Sequence, residues 1–249
     1  MKFIDSINDE GVNPFVEMNK EGALLKRCDE LIAGFDKAFE NASTYMNIDY
    51  FQRKGVKGYP KMPEFWANLK SESVHEHLEF LIYACWEYLY FCLDVVTTYR
   101  YLVQANTDWE YRYFARIFYK LMHESQQIRD HRGKWINDVR NDLPYYNIEE
   151  FNKALKALNK YINKYDSSDF VDVRDKIEAH RDQSIHDQIQ LHYHLSVIRS
   201  SEIIQEGFDL VVKYQECLIA LMDEAFFSAY EIRYERIVDE NGNVQFKRV

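Results

Sequence analysis

The chain has 249 residues, 47% hydrophobic and 29% charged, the balance of a soluble globular protein with one large domain, or one domain plus an appendage. Its formal net charge of -10 argues against sequence-independent binding to duplex nucleic acid, while leaving room for a small local basic site for RNA. Gly and Pro are scarce, at 8 and 4, so long uninterrupted helices and an all-α architecture are expected.

The N-terminal MKFIDSINDEG carries acids early and no apolar core, so no secretory leader is expected. Helical periodicity starts near Pro14 and puts Leu24, Leu25, Cys28, Leu31, Ile32 and Phe35 on one stripe, ending between Asn41 and Met46. NIDYFQRKGVKGYPKMP then reads as a long loop. Its Arg53, Lys54, Lys57 and Lys61 interleave with Phe51 and Tyr59, a pattern that fits a solvated loop better than a grip on a phosphate backbone.

Helix resumes near Pro63 and runs, with a break at Ser71–Ser73, to Val103. Within it FLIYACWEYLYFCLDVV, residues 80–96, is apolar on almost every face. It is shorter than the roughly 20 residues of a membrane span and holds Glu87 and Asp94, so a buried central or dimer-interface helix is expected. Asn106 or Thr107 caps the next helix, which Gly133 interrupts. Its Trp109, Tyr111 and Tyr113, with Trp86 before them, read as core rather than as a base-stacking platform.

NDLPYYN is a turn, and IEEFNKALKALNKYINKY a clean amphipathic helix with Phe151, Leu155, Leu158 and Ile162 as its stripe. In DSSD, Ser168 or Asp169 suits the N-cap of a following helix. Residues 183–200 are less regular, and Ser200 or Ser201 caps a long last helix. RYERIVDENGNVQFKRV alternates on both sides of Asn241-Gly242, which predicts a C-terminal β-hairpin. The expected layout is an N-terminal helix and loop packing on the bundle over 1–62, a helical bundle over 63–230 and the hairpin appendage over 231–249.

Few templates for chemistry are met. His180, His186, His192 and His194 bunch in sequence, but steps of six rotate a helical side chain by about 240°, so the first three point to different faces and no metal site is expected. Di-iron bundles need paired Glu-x-x-His motifs, and only Glu72–His75 occurs. Phosphate-binding loops and nucleophile elbows are absent from the sequence, and no cofactor is expected. Cys28, Cys85, Cys92 and Cys217 form no CxxC and read as buried free thiols of a reducing, cytoplasmic compartment.

Arg followed by His after four to six residues occurs three times, as Arg116–His123, Arg174–His180 and Arg181–His186. Spacing alone cannot choose among them. By residue type, Arg174 to Asp187 also fits an ordinary solvated helix, with Asp169 and Asp172 at its N-terminus and Arg174 paired to Glu178. The surroundings of the second match are more specific. RDKIEAHRD, with Arg174, Asp175, Lys176, Ala179, His180, Arg181 and Asp182, resembles the RDK…AHRD signature of the abortive-infection (AbiU-like) subgroup of HEPN domains. The resemblance is local to residues 165–185 and architectural over 75–230. It does not reach the first 60 residues or the hairpin.

The resemblance implies an all-α HEPN-like bundle and a metal-independent endoribonuclease of a prokaryotic phage-defence or toxin–antitoxin system, with Arg174 and His180 as the catalytic pair. Asp175, Arg181 and Asp182 would position them or touch RNA, and Arg181 with His186 is the alternative pair. An imidazole can move a proton at a ribose 2′-hydroxyl or a leaving 5′-oxygen, and a guanidinium can hold the phosphate. Products would be a 2′,3′-cyclic phosphate and a 5′-hydroxyl. HEPN proteins typically dimerise with motifs facing, so a homodimer with one composite site is implied, with RNA as substrate and no membrane partner. The other readings are a non-catalytic HEPN module that binds a nucleotide or a nucleotidyltransferase-type antitoxin, and a helical scaffold or interaction protein.

Overall fold

The computed structural model describes residues 13–53, 72–139, 148–173, 197–229, 234–238 and 244–248. These form α1 (Pro14–Met18), α2 (Ala23–Arg53), α3 (Glu72–Gln104), α4 (Asp108–Val139), α5 (Ile148–Tyr165), a π-turn (Asp166–Phe170) running into the short α6 (Val171–Val173), and α7 (Val197–Ala229). Strands β1 (Tyr234–Val238) and β2 (Val244–Arg248) pair antiparallel, Tyr234 opposite Arg248 and Val238 opposite Val244. The Asn241-Gly242 turn expected between them lies outside the described residues. The body is an all-α bundle.

Helices α3 and α7 are its central pair: α3 packs on α2, α4 and α7, while α5 lies on α7. The apolar run expected to be a central or dimer-interface helix packs in the centre on one side, with Cys85, Tyr88, Leu89, Phe91, Cys92, Val95 and Val96 buried, while Tyr83 and Tyr90 are exposed. Among the described residues no helix is long and apolar enough to cross a membrane. The seam against α7 is aromatic. Tyr99 stacks on Phe208 with ring centroids 3.9 Å apart, and Tyr88 meets Tyr214 at 4.3 Å. Each ring removes a large apolar area from water, and each such pair adds roughly 0.5–1.5 kcal/mol from ring geometry. The Tyr99 hydroxyl donates to Gln205, so its polar end is satisfied inside the seam.

The N-terminal elements are tied to this pair by specific bonds. Asn13 accepts from the Phe15 amide to cap α1, and its Nδ2 donates to the Leu102 and Ala105 carbonyls at the end of α3 at 2.8 and 3.0 Å. One side chain thus serves a helix start and a helix end. Arg100 of α3 pairs with Asp29 of α2, and Arg27 of α2 with Asp209 of α7.

Several boundaries differ from the expectation, each for a local reason. Helix α2 runs to Arg53, past the predicted loop start, because the chain from 44 to 53 holds no Gly or Pro to stop it. Of the two expected cap candidates it is Thr107 that caps α4, as foreseen: it accepts from the Glu110 amide while the Glu110 carboxylate takes the Asn106 and Thr107 amides, a reciprocal box that lowers the Glu110 pKa through those backbone bonds. Helix α4 passes through Gly133 without interruption. The DSSD segment opens no fresh helix with a Ser168 or Asp169 cap, since the helical path continues from Tyr165 through the π-turn into α6. Ser200 and Ser201 lie inside α7 and are buried, so they do not cap it.

Close packing makes one test sharp. Gly207 of α7 faces Tyr161 of α5, whose hydroxyl donates to the Ile203 carbonyl at 2.7 Å. A Cβ at 207 would run into that hydroxyl and sit 2.7 Å from the ring's Cζ. Gly207→Ala, which by helix propensity alone should stabilise, is expected to destabilise by about 1–3 kcal/mol in urea unfolding. A gain in stability would contradict this packing of α5 on α7.

Candidate functional site

Arg174, Asp175, His180, Arg181, Asp182 and His186 all lie in 174–196, outside the described residues, as do His192 and His194. The positions of Lys54, Lys57, Tyr59 and Lys61 of the basic loop lie outside them too, and Arg53 is described only as the last residue of α2. What the structure describes is the chain on either side of the motif segment, up to Val173 and again from Val197.

Both ends are held at one place, against α4. On the outgoing side Phe170 is fully buried, edge-on to Tyr119 of α4 at 5.1 Å and tilted against Tyr161 at 5.9 Å. Val173 is buried as well, so the residue before Arg174 belongs to the core. On the return side Tyr111 of α4 shares a hydrogen bond with Ser200 of α7 at 3.0 Å. Arg199 of α7 donates to Asp169 of the π-turn at 2.9 Å, which ties the two ends directly together.

The π-turn makes this arrangement. A π-turn adds a residue to a helical path and rotates the chain beyond it, and such turns are frequent at functional sites. Here it presents Asp166 and Asp169 in different directions. Asp166 Oδ1 is 2.7 Å from His123 Nδ1 on α4, with both side chains mostly buried (17% exposed for His123, 22% for Asp166). Asp169 serves Arg199. The pairings His123–Asp166 and Asp169–Arg199 span 43 and 30 residues of sequence, and no local pattern signals either of them.

The first Arg/His match lies on α4, with His123 against the π-turn. Arg116 and His123 are seven apart on α4, so they share a flank about 10 Å apart along the axis. Arg116 lies over the Tyr113 ring at 5.6 Å, and its Nε is buried with no hydrogen-bond partner. The reading of the α4 aromatics as core holds for Tyr111, 1% exposed, and fails for Trp109 and Tyr113, which are 60% and 51% exposed.

The thiols offer no nucleophile. All four are free and buried. Burial pushes Cys28 up to about 11 and raises Cys85, Cys92 and Cys217 as well. These are the inert thiols of a packed interior. Among the described residues no three His, Cys, Asp or Glu side chains stand close enough to share a metal ion.

Two outcomes are expected. At pH 8 a thiol with a pKa of about 11 is thiolate in roughly one molecule per thousand, so the native protein should show no fast Ellman reaction and four thiols on denaturation; one fast native thiol would contradict the burial. A double-mutant cycle on Asp169→Ala and Arg199→Ala should give a coupling below about 1 kcal/mol, because Arg199 is 63% exposed. The same variants should speed amide exchange at Val171–Val173 and the first turn of α7 while leaving α2 unchanged. Unchanged exchange there would show that the pair does not hold the two ends.

Compared with known proteins, the chain matches no family model, no curated protein and no solved structure.

Proposed function

We infer that the chain is a HEPN-like, metal-independent endoribonuclease of a prokaryotic phage-defence or toxin–antitoxin system. The observation that carries this reading is RDKIEAHRD, seven of whose nine residues follow the HEPN subgroup signature. The all-α body supports it. So does the position of the segment's ends, between a buried Val173 and an Arg199 anchored by Asp169, since a catalytic segment must be presented from a rigid base.

In this reading Arg174 holds the scissile phosphate and offsets the charge that grows on it, and His180 moves the proton at the 2′-hydroxyl or the 5′-oxygen. One imidazole cannot serve both oxygens in a single step. A homodimer with facing segments supplies the second, so the working unit is a dimer with one composite site. Asp175, Arg181 and Asp182 orient the pair or touch RNA. Arg181 and His186 are the alternative pair, and a defence-system or antitoxin protein is the expected regulator.

The test is cleavage of RNA in EDTA by wild type, Arg174→Ala, His180→Ala and His186→Ala. Loss of about 10²-fold or more in Arg174→Ala and His180→Ala, with His186→Ala active, is expected. Loss only in His186→Ala moves the site to Arg181 and His186. Full activity in every variant contradicts the mechanism, and a wild type inactive on several RNAs favours the binding module.

A further inference from the structure

One flank of α4 carries an aromatic and basic row. Trp109, Tyr113, Arg116, Lys120 and His123 stand at i, i+4, i+7, i+11 and i+14. At 100° per residue they fall within about 80° of the helix circumference and extend about 21 Å along it. The buried face, with Tyr111, Ala115, Phe118, Met122 and Ser125, points elsewhere.

The row changes character along its length. At one end Trp109 and Tyr113 expose more than half of their surface. Exposing two large rings side by side leaves apolar area in water that a bound ligand would cover. In the middle, Arg116 lies over the Tyr113 ring at 5.6 Å, and among the described residues it meets no carboxylate. Its buried Nε has no acceptor. Lys120 reaches Glu124 only at 3.9 Å and is 44% exposed. At the far end His123, held by Asp166, abuts the π-turn that runs into α6. Among the described residues Arg27, Arg100, Arg112 and Arg199 each meet a carboxylate, and Arg116 does not.

We propose that this flank of α4 is the track on which single-stranded RNA lies as it enters the site, its bases stacking on Trp109 and Tyr113 and its phosphates meeting Arg116 and Lys120. The proposal rests on the ribonuclease reading for the direction of the strand, which runs toward His123 and the π-turn. Stacking on aromatic faces with cations on the backbone is how single strands are held without regard to sequence. A duplex offers its bases only by their edges, so the exposed ring faces select a single strand.

The test is fluorescence anisotropy of the full chain with fluorescein-labelled, fully 2′-O-methylated oligouridylate, which 2′-hydroxyl attack cannot cleave. Arg116→Gln/Lys120→Gln should weaken binding about tenfold at low salt and flatten the log–log salt dependence by about 1.4, at roughly 0.7 per phosphate contact on a single strand. Trp109→Ala and Tyr113→Ala should each weaken it about five- to tenfold with little change in the salt dependence. Lys26→Gln/Lys37→Gln, the same charge loss on exposed positions of α2, should leave binding within twofold.

A wild type that does not bind, or row variants that bind as wild type does, overturns the proposal. Row variants that alter sedimentation of the free chain, with RNA binding intact, would make the row a protein interface and overturn it equally. Wild type that binds the methylated strand through the row yet cleaves no RNA keeps the track and sinks the enzyme. Wild type that cleaves, with row variants unchanged in binding and KM, keeps the enzyme and sinks the track.

Discussion

The seam between α3 and α7 governs the rest of the molecule. Tyr88 and Tyr99 of one helix meet Tyr214 and Phe208 of the other, and every other long helix packs on one or both of the pair. Rings of this size leave little freedom in how two helices approach. A shift of either helix would unstack Tyr99 from Phe208 and strand the Tyr99 hydroxyl, which bonds to Gln205 of α7. The register of α7 against α3 is fixed by these contacts, and the first turn of α7 is placed with it.

That placement reaches the site through α4 and α5. Tyr111 of α4 bonds to Ser200, and Tyr161 of α5 to the Ile203 carbonyl, so two helices hold the start of α7 by buried hydroxyls. The π-turn between α5 and α6 drives Phe170 into the same core and leaves Asp166 and Asp169 to meet His123 and Arg199. The Asp169–Arg199 ion pair is weak by itself, since Arg199 is largely exposed. Buried Phe170 and Val173 supply the anchoring energy, and the charges select the geometry.

Much of the fold is legible in the sequence because it rests on periodicity. The stripe of α5, the central place of 80–96 and the Thr107 start of α4 all follow from spacing and capping chemistry among near neighbours. The features that mislead depend on distant partners. Asp169 looks like a cap in DSSD, and only the fold reveals Arg199 as its partner. Ser200 and Ser201 look like a helix start until Tyr111 claims the Ser200 hydroxyl. Trp109 and Tyr111 are two apart, so one must leave the buried face, but nothing local says which. For the site, the Arg/His spacing alone is uninformative, and the weight falls on the identity of RDKIEAHRD. The Arg116–His123 spacing gives no hint of His123's partner, because Asp166 is 43 residues away.

The central claim is that the chain cuts RNA by moving protons at the ribose, with no metal. The most direct measurement is the chemistry of the product ends after incubation of RNA with the purified chain in EDTA. The account predicts 5′-hydroxyl and 2′,3′-cyclic phosphate ends, and complete resistance of a strand whose scissile riboses lack the 2′-hydroxyl. Cleavage of that strand, 3′-hydroxyl ends, or cleavage that appears only when a divalent metal is restored would contradict it.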